Sequence, residues 1–353
     1  MSVPTAPSAA GETAAGGHPS PEPGGPRAGD LARRVARAAA ELVHDAADAV
    51  LIERLHQAGI RPILLKGPVT AQRLYPGEHR PRADCDLLVA SGRLAAARAV
   101  AVAAGHSPRE PSPHAQAYCH PNGQVLDLHW TLPVVSPPAD RVWATLSRHR
   151  VPFALGGTVV DALDLPAHAF HLLLHTVAAP ARTSGARRDL DRAVSAFDLA
   201  TWRAALEVAD ELDSRAVVIA ALRTGSPACW RLADALGLPV RVPFTSRLWL
   251  ADQSLLLNAQ LILRTASPQR RRTILRRWLV PTRAELAGWS ARPEVQAATP
   301  AALPPAARLL WYRVHQLALF SVSLRRATRQ PPAPAAPAGP RQVPARPERV
   351  PSG

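Results

Sequence analysis

The chain has 353 residues, 47% of them hydrophobic, which exceeds a typical domain of about 100–200 residues and allows a substantial core. Its cysteines, Cys85, Cys119 and Cys229, are too few and too scattered for a disulfide framework or a zinc cluster, and no apolar run approaches a membrane span. The net charge of +15 would suit a polyanion, but of 42 lysines and arginines only Lys66 is a lysine, so much of the charge follows GC-rich codon usage and carries little information.

Residues 1–30 and 329–353 are rich in Pro, Gly, Ala and Ser, lack apolar periodicity and read as disordered tails. The first of them has no signal-peptide core, which predicts a cytoplasmic protein. Over 31–58 apolar residues recur at three- and four-residue intervals up to Gly59, predicting one or two helices. Residues 61–66 form a short apolar run that fits a buried strand, closed by Gly67-Pro68, and Pro68 opens a helix reaching Tyr75. A loop over 76–83 leads to a second strand over 84–89, whose alternation puts Asp84 and Asp86 on the same side. An alanine-rich helix follows over 93–104. Asn122-Gly123 turns a hairpin between 115–120 and 125–130, and Gly156-Gly157 turns another between 151–155 and 158–163. From Pro166 to Arg329 every periodic segment is helical. The predicted class is α+β: a small mixed-sheet unit over 31–165, then a helical region over 166–328.

Two carboxylates two apart on a strand, with Asp127 on another, are what a pair of magnesium ions requires, because hard cations need anionic oxygen donors at fixed separation. Leu65-Lys66-Gly67 leads from a strand into a helix whose first amides suit an anion. Arg80 and Arg82 precede the carboxylates within reach of phosphate oxygens. His129 shares a strand face with Asp127.

These blocks resemble the uncharacterised nucleotidyltransferase family of bacterial proteins within the DNA polymerase β-like superfamily. Leu65-Lys66-Gly67, Leu74-Tyr75-Pro76, Arg80-Pro81-Arg82-Ala83-Asp84-Cys85-Asp86-Leu87-Leu88-Val89 and Asp127-Leu128-His129-Trp130 match its pattern in order. A looser likeness through His171, His175, Arg188-Asp189-Leu190-Asp191 and Trp278-Leu279-Val280-Pro281 extends it over about 40–290. The resemblance implies a nucleotidyltransferase-like domain in which Asp84, Asp86 and Asp127 bind two Mg2+ ions around a nucleoside triphosphate, Asp127 being the one to take the acceptor's proton. It implies that Gly67 admits the backbone to the phosphates and that Lys66, Arg80, Arg82 and His129 lie close to them. The acceptor is a small molecule, peptide or protein; nucleic acid is not favoured, and no membrane is involved. The superfamily usually has Gly-Ser or Gly-Gly at this turn and a shorter gap to the first aspartate, whereas here Pro68 follows Gly67.

A second reading keeps the fold as a non-catalytic nucleotide- or RNA-binding module, against which stand three mutually repelling carboxylates. A zinc hydrolase built on His171 and His175, with His168 nearby, lacks a third ligand, and a packed helix face is the plainer account of that spacing. Asp189 and Asp191 are expected to pair with Arg187, Arg188 and Arg192. Tyr75 and Trp130 are expected in the core, and the run from Arg270-Arg271-Arg272 to Arg276-Arg277 on a solvated helix face.

Overall fold

The computed structural model describes residues 28–80, 84–109, 111–112, 114–178, 184–251, 272, 282–283, 286, 293–300 and 302–328. Residues 1–27 and 329–353 of the Pro-rich tails, Arg82, Arg270, Arg271, Arg276, Arg277 and the segment 278–281 lie outside these residues, while 28–30, expected in the first tail, already belong to a helix.

Helix α1 (Ala28–Gln57) is one continuous helix and ends at Gly59, whose φ of 69° turns the chain into β1 (Ile63–Leu64). There follow α2 (Pro68–Leu74), β2 (Cys85–Leu88), α3 (Leu94–Ala103), β3 (Ser107–Pro108), β4 (Ala115–Cys119), β5 (Val125–His129), α4 (Ala139–Leu146), β6 (Arg150–Leu155) and β7 (Thr158–Leu163). The seven strands form one mixed sheet in the order β3-β4-β5-β2-β1-β7-β6. Gly156 does more than turn the β6–β7 hairpin: a Cβ there would come 2.5 Å from the carbonyl oxygen of Asp45, so only glycine lets the turn seat against α1.

The helical part comprises α5 (Leu165–Ala178), α6 (Ser184–Ala196), α7 (Leu199–Glu211), α8 (Arg215–Arg223), α9 (Pro227–Ala235), α10 (Phe244–Ala251), α11 (Pro293–Ala298) and α12 (Pro305–Thr328). Side-chain caps fix several starts. Asp164 Oδ1 accepts from Ala167 N at 2.9 Å before α5, Asp198 Oδ1 from Thr201 N at 2.8 Å before α7, and Ser226 precedes Pro227 at α9.

Strand alternation divides the hydrophobic residues into two cores. Leu64, Cys85, Leu87, Val89, Leu126 and Leu128 pack with Leu51, Ile52 and Leu55 of α1 and Ala97 and Ala101 of α3. Ile63, Leu65, Leu88 and Leu163 face the other way, into a larger core shared with α5, α7, α8 and α9. Asp86, Asp127 and His129 fall on this second face by parity, under α5.

Candidate active site

Because β1 and β2 are antiparallel, the chain leaving β1 through Lys66 and Gly67 lies beside the start of β2, where Leu65 N donates to the backbone oxygen of Asp86 at 3.0 Å. β2 and β5 pair in parallel with Asp86 opposite Asp127 and Leu88 opposite His129, and adjacent strands are about 4.8 Å apart, so side chains on one face touch. On β4, Ala117 stands opposite Asp127 and Ala115 opposite His129.

Asp86 is 1% exposed. Its Oδ1 is 3.2 Å from Lys66 Nζ and 3.2 Å from His129 Nε2, while its Oδ2 is buried with no hydrogen-bond partner among the described residues. Lys66 Nζ also lies 3.5 Å from Asp84 Oδ2, and His129 Nε2 lies 3.5 Å from Asp127 Oδ2. Burial alone would raise the Asp86 carboxyl, but the charges of Lys66 and His129 outweigh it and hold it below its ordinary value. Asp84 goes the other way, raised by burial and by the charge of Asp86. Burial would likewise lower His129, yet hydrogen bonds to Asp127 and Asp86 bring it up to about 9. Lys66 stays above its ordinary value because Asp86 and Asp84 overcome the burial that works against it.

Asp86, Asp127 and His129 each offer a ligand atom, and these atoms lie within 4.8 Å of one another. Asp84 is not in that group; it meets Asp86 through Lys66. Gly67 has φ 71°, and a Cβ on it would stand 3.3 Å from the carbonyl oxygen of Asp84, so glycine allows the turn to close onto the acidic strand. The helix after it, α2, has only seven residues, so an anion there would depend on individual amides rather than on a helix dipole.

Arg80 is paired with a carboxylate of α6. Its Nε and Nη2 donate to Asp189 at 3.0 and 2.6 Å, and Tyr75 Oη donates to the same carboxylate at 2.7 Å. A guanidinium fork matches one carboxylate with two bonds, so these two donors of Arg80 are engaged by Asp189. Asp189 thereby pairs with Arg80, 109 residues away, rather than with its helical neighbours. Tyr75 packs against the larger core and is covered by Arg192 at 4.1 Å from its ring centre. Arg272 is exposed.

The histidines of α5 form the wall opposite the sheet. His168 Nε2 is 3.1 Å from Thr70 Oγ1, tying α5 to α2. His171 is pushed well below its ordinary value by burial and then by His175, and it interacts electrostatically with Asp86, Lys66 and His129. His175 is lowered to about 4, chiefly by burial and then by Lys66. The spacing of these residues carries the helix-face signal, but nothing local says that this face lies over the acidic strands. His114, with its ring centre 5.6 Å from that of His129, is another neighbour that sequence reasoning missed; burial lowers it to about 4.

A sequence model of the family described as uncharacterised nucleotidyltransferase matches residues 29–225, more than half of the chain. No curated protein matches. Among solved structures, the solution structure of the antibiotic-resistance factor ANT(2'')-Ia is similar at 14% identity, over 49% of this chain and 90% of that one, with a TM-score of 0.34.

Proposed function

The chain belongs to the uncharacterised nucleotidyltransferase family, and on that premise we propose that it moves a nucleoside monophosphate from a nucleoside triphosphate to an acceptor hydroxyl or phosphate, with Mg2+ as cofactor. The observation that carries this reading is the orphaned Oδ2 of Asp86. A buried acceptor left without a partner costs about 1–3 kcal/mol, and with Asp127 and His129 beside it the arrangement fits a cation. A divalent ion held there supplies a lowered acceptor pKa and charge compensation for the polyphosphate.

The acceptor oxygen forms a bond to the α-phosphorus while the bond from that phosphorus to the bridging oxygen breaks, and pyrophosphate leaves with the electron pair. Asp127, with its side chain 28% exposed against 1% for Asp86 opposite it, is open to a substrate and takes the acceptor's proton. His129 fixes Asp86 and Asp127 relative to each other. Gly67 lets the turn after β1 close onto the start of β2, where the triphosphate is to sit, and Lys66 keeps a positive charge there. Arg80, engaged with Asp189, holds the loop before β2 against α6. The acceptor is a small molecule, peptide or protein, and no described helix is long and apolar enough to cross a membrane.

The test is incubation of the full chain with each α-labelled triphosphate, Mg2+ and a cell extract. Pyrophosphate release and label transfer are expected with at least one triphosphate, and both are abolished by chelation and by Asp86→Asn. Magnesium-dependent nucleotide binding without pyrophosphate release from any triphosphate would instead make the chain a binding module.

A further inference from the structure

The charges in the cleft alternate along a line: Asp84, Lys66, Asp86, His129, Asp127. The two halves of this line are not equivalent. On the Asp127 side one donor atom each of Asp86, Asp127 and His129 lie within 4.8 Å of one another and Asp86 keeps an unpartnered Oδ2, whereas on the Asp84 side the interval between the two carboxylates is already bridged by an ammonium. We infer that Lys66 is the resident second cation of this site, so that the chain takes one divalent ion, at Asp86, Asp127 and His129, where three aspartates alone would take two. The inference rests on the nucleotidyltransferase reading for what the site is used for, though not for how many ions it holds.

Two observations support it. The side chain of Lys66 is 14% exposed, so withdrawing it would leave Asp84 and Asp86 facing each other with nothing between them, and uncompensated charge at low exposure is strongly unfavourable. The position needs a compact ammonium with donors in several directions, which a planar guanidinium does not provide, and this is the single place where the chain keeps a lysine among 42 basic residues.

The ion count tests this directly, with Mn2+ as the probe and no nucleotide present. Mn2+ binding to the full-length wild type, followed by calorimetry and by the loss of free-ion electron paramagnetic resonance signal, is expected to saturate at one ion per chain. Lys66→Met is expected to bind a second. Two ions on the wild type, or one on both proteins, overturns the inference. Should Lys66→Met fail to fold, the uniqueness of the lysine provides another measurement. Wild-type protein labelled with 15N-lysine yields a single side-chain ammonium signal, which is expected to remain slowly exchanging when Mg2+ saturates the site. Its loss to fast solvent exchange on adding Mg2+ would show that the lysine has been expelled. Neither measurement involves turnover, so an inactive chain that binds one ion refutes the enzymatic reading alone, and an active wild type that binds two refutes the cation count alone.

Discussion

The two faces of the central sheet are built from the same strands and serve opposite ends. Toward α1 and α3, β2 and β5 present Cys85, Leu87, Leu126 and Leu128, all buried and apolar. Toward α5 the intervening positions carry Asp86, Asp127 and His129, equally hidden in the case of Asp86 and His129 but charged. Burial in itself therefore says nothing about role here. What separates the two strand faces is charge: Cys85, Leu87, Leu126 and Leu128 bring none, whereas the opposite face carries Asp86, Asp127 and His129 and leaves an oxygen of Asp86 and a ring nitrogen of His129 without hydrogen-bond partners among the described residues. A protein bears such a cost where a ligand removes it.

If the faces are separable, substitutions on them should fail in different assays. The largest effect is expected for Asp86→Asn, which keeps the volume and removes the charge: triphosphate turnover should fall by about a thousandfold or more, the several kcal/mol that metal charge stabilisation supplies, and Mn2+ affinity should be lost in protein that is still folded. Leu87→Ala, one position away and 0% exposed, should do the reverse. A loss of about 2–5 kcal/mol in urea unfolding is expected, with Mn2+ affinity unchanged below the unfolding midpoint. Loss of ion binding by folded Leu87→Ala protein would show that the faces are coupled. A smaller effect, about 3 kcal/mol, is expected for Asp189→Asn, because it leaves the part-buried Arg80 guanidinium without its anion and Tyr75 with a weaker acceptor. It should act on stability and leave the Mn2+ count unchanged.

Much of this division was legible in the chain itself, and the reason is geometric. Period-two alternation puts Asp84 with Asp86 and Asp127 with His129, and the glycine turns at 123 and 156–157 align their hairpins, so strand faces follow from local spacing. Pairing across long separations does not. Nothing local says that β2 lies between β5 and β1, that Asp189 reaches back to Arg80, or that α5 covers the acidic strands. The short elements also escaped. β3 is a two-residue exposed edge strand containing Pro108, and α4 is an eight-residue helix following Pro137-Pro138; neither is long enough to establish a period. Lys66 stood out by composition, but its insertion between two carboxylates depends on the antiparallel pairing of β1 with β2.

The gentlest probe of the acidic face is pH, because four largely buried histidines pack around it; His106, beside α3, is also lowered, first by burial and then by His120, and adds to the same acid limb. His114 and His175 are lowered to about 4, His168 to about 3, and His171 well below its ordinary value, in each case first by burial. Their folded values lie below the unfolded 6.5, so the unfolded chain binds more protons in that window and stability falls as pH drops from about 6.5 toward 4, by about 1.4 kcal/mol per pH unit for each histidine. Asp84, raised by burial and by Asp86, opposes this by one proton at the acid end. His129 has the opposite sign: raised to about 9, its contribution is complete below about 6.5 and is lost as pH climbs through 9. Metal-free protein should therefore be most stable near neutrality, with a steep acid limb from several neutral histidines and a shallow alkaline limb from one charged histidine. Urea midpoints in a chelating buffer would resolve both limbs. His129→Gln should flatten only the alkaline limb and His168→Gln should reduce only the acid one, whereas an alkaline limb that survives in His129→Gln would mean that its source lies outside the acidic strands.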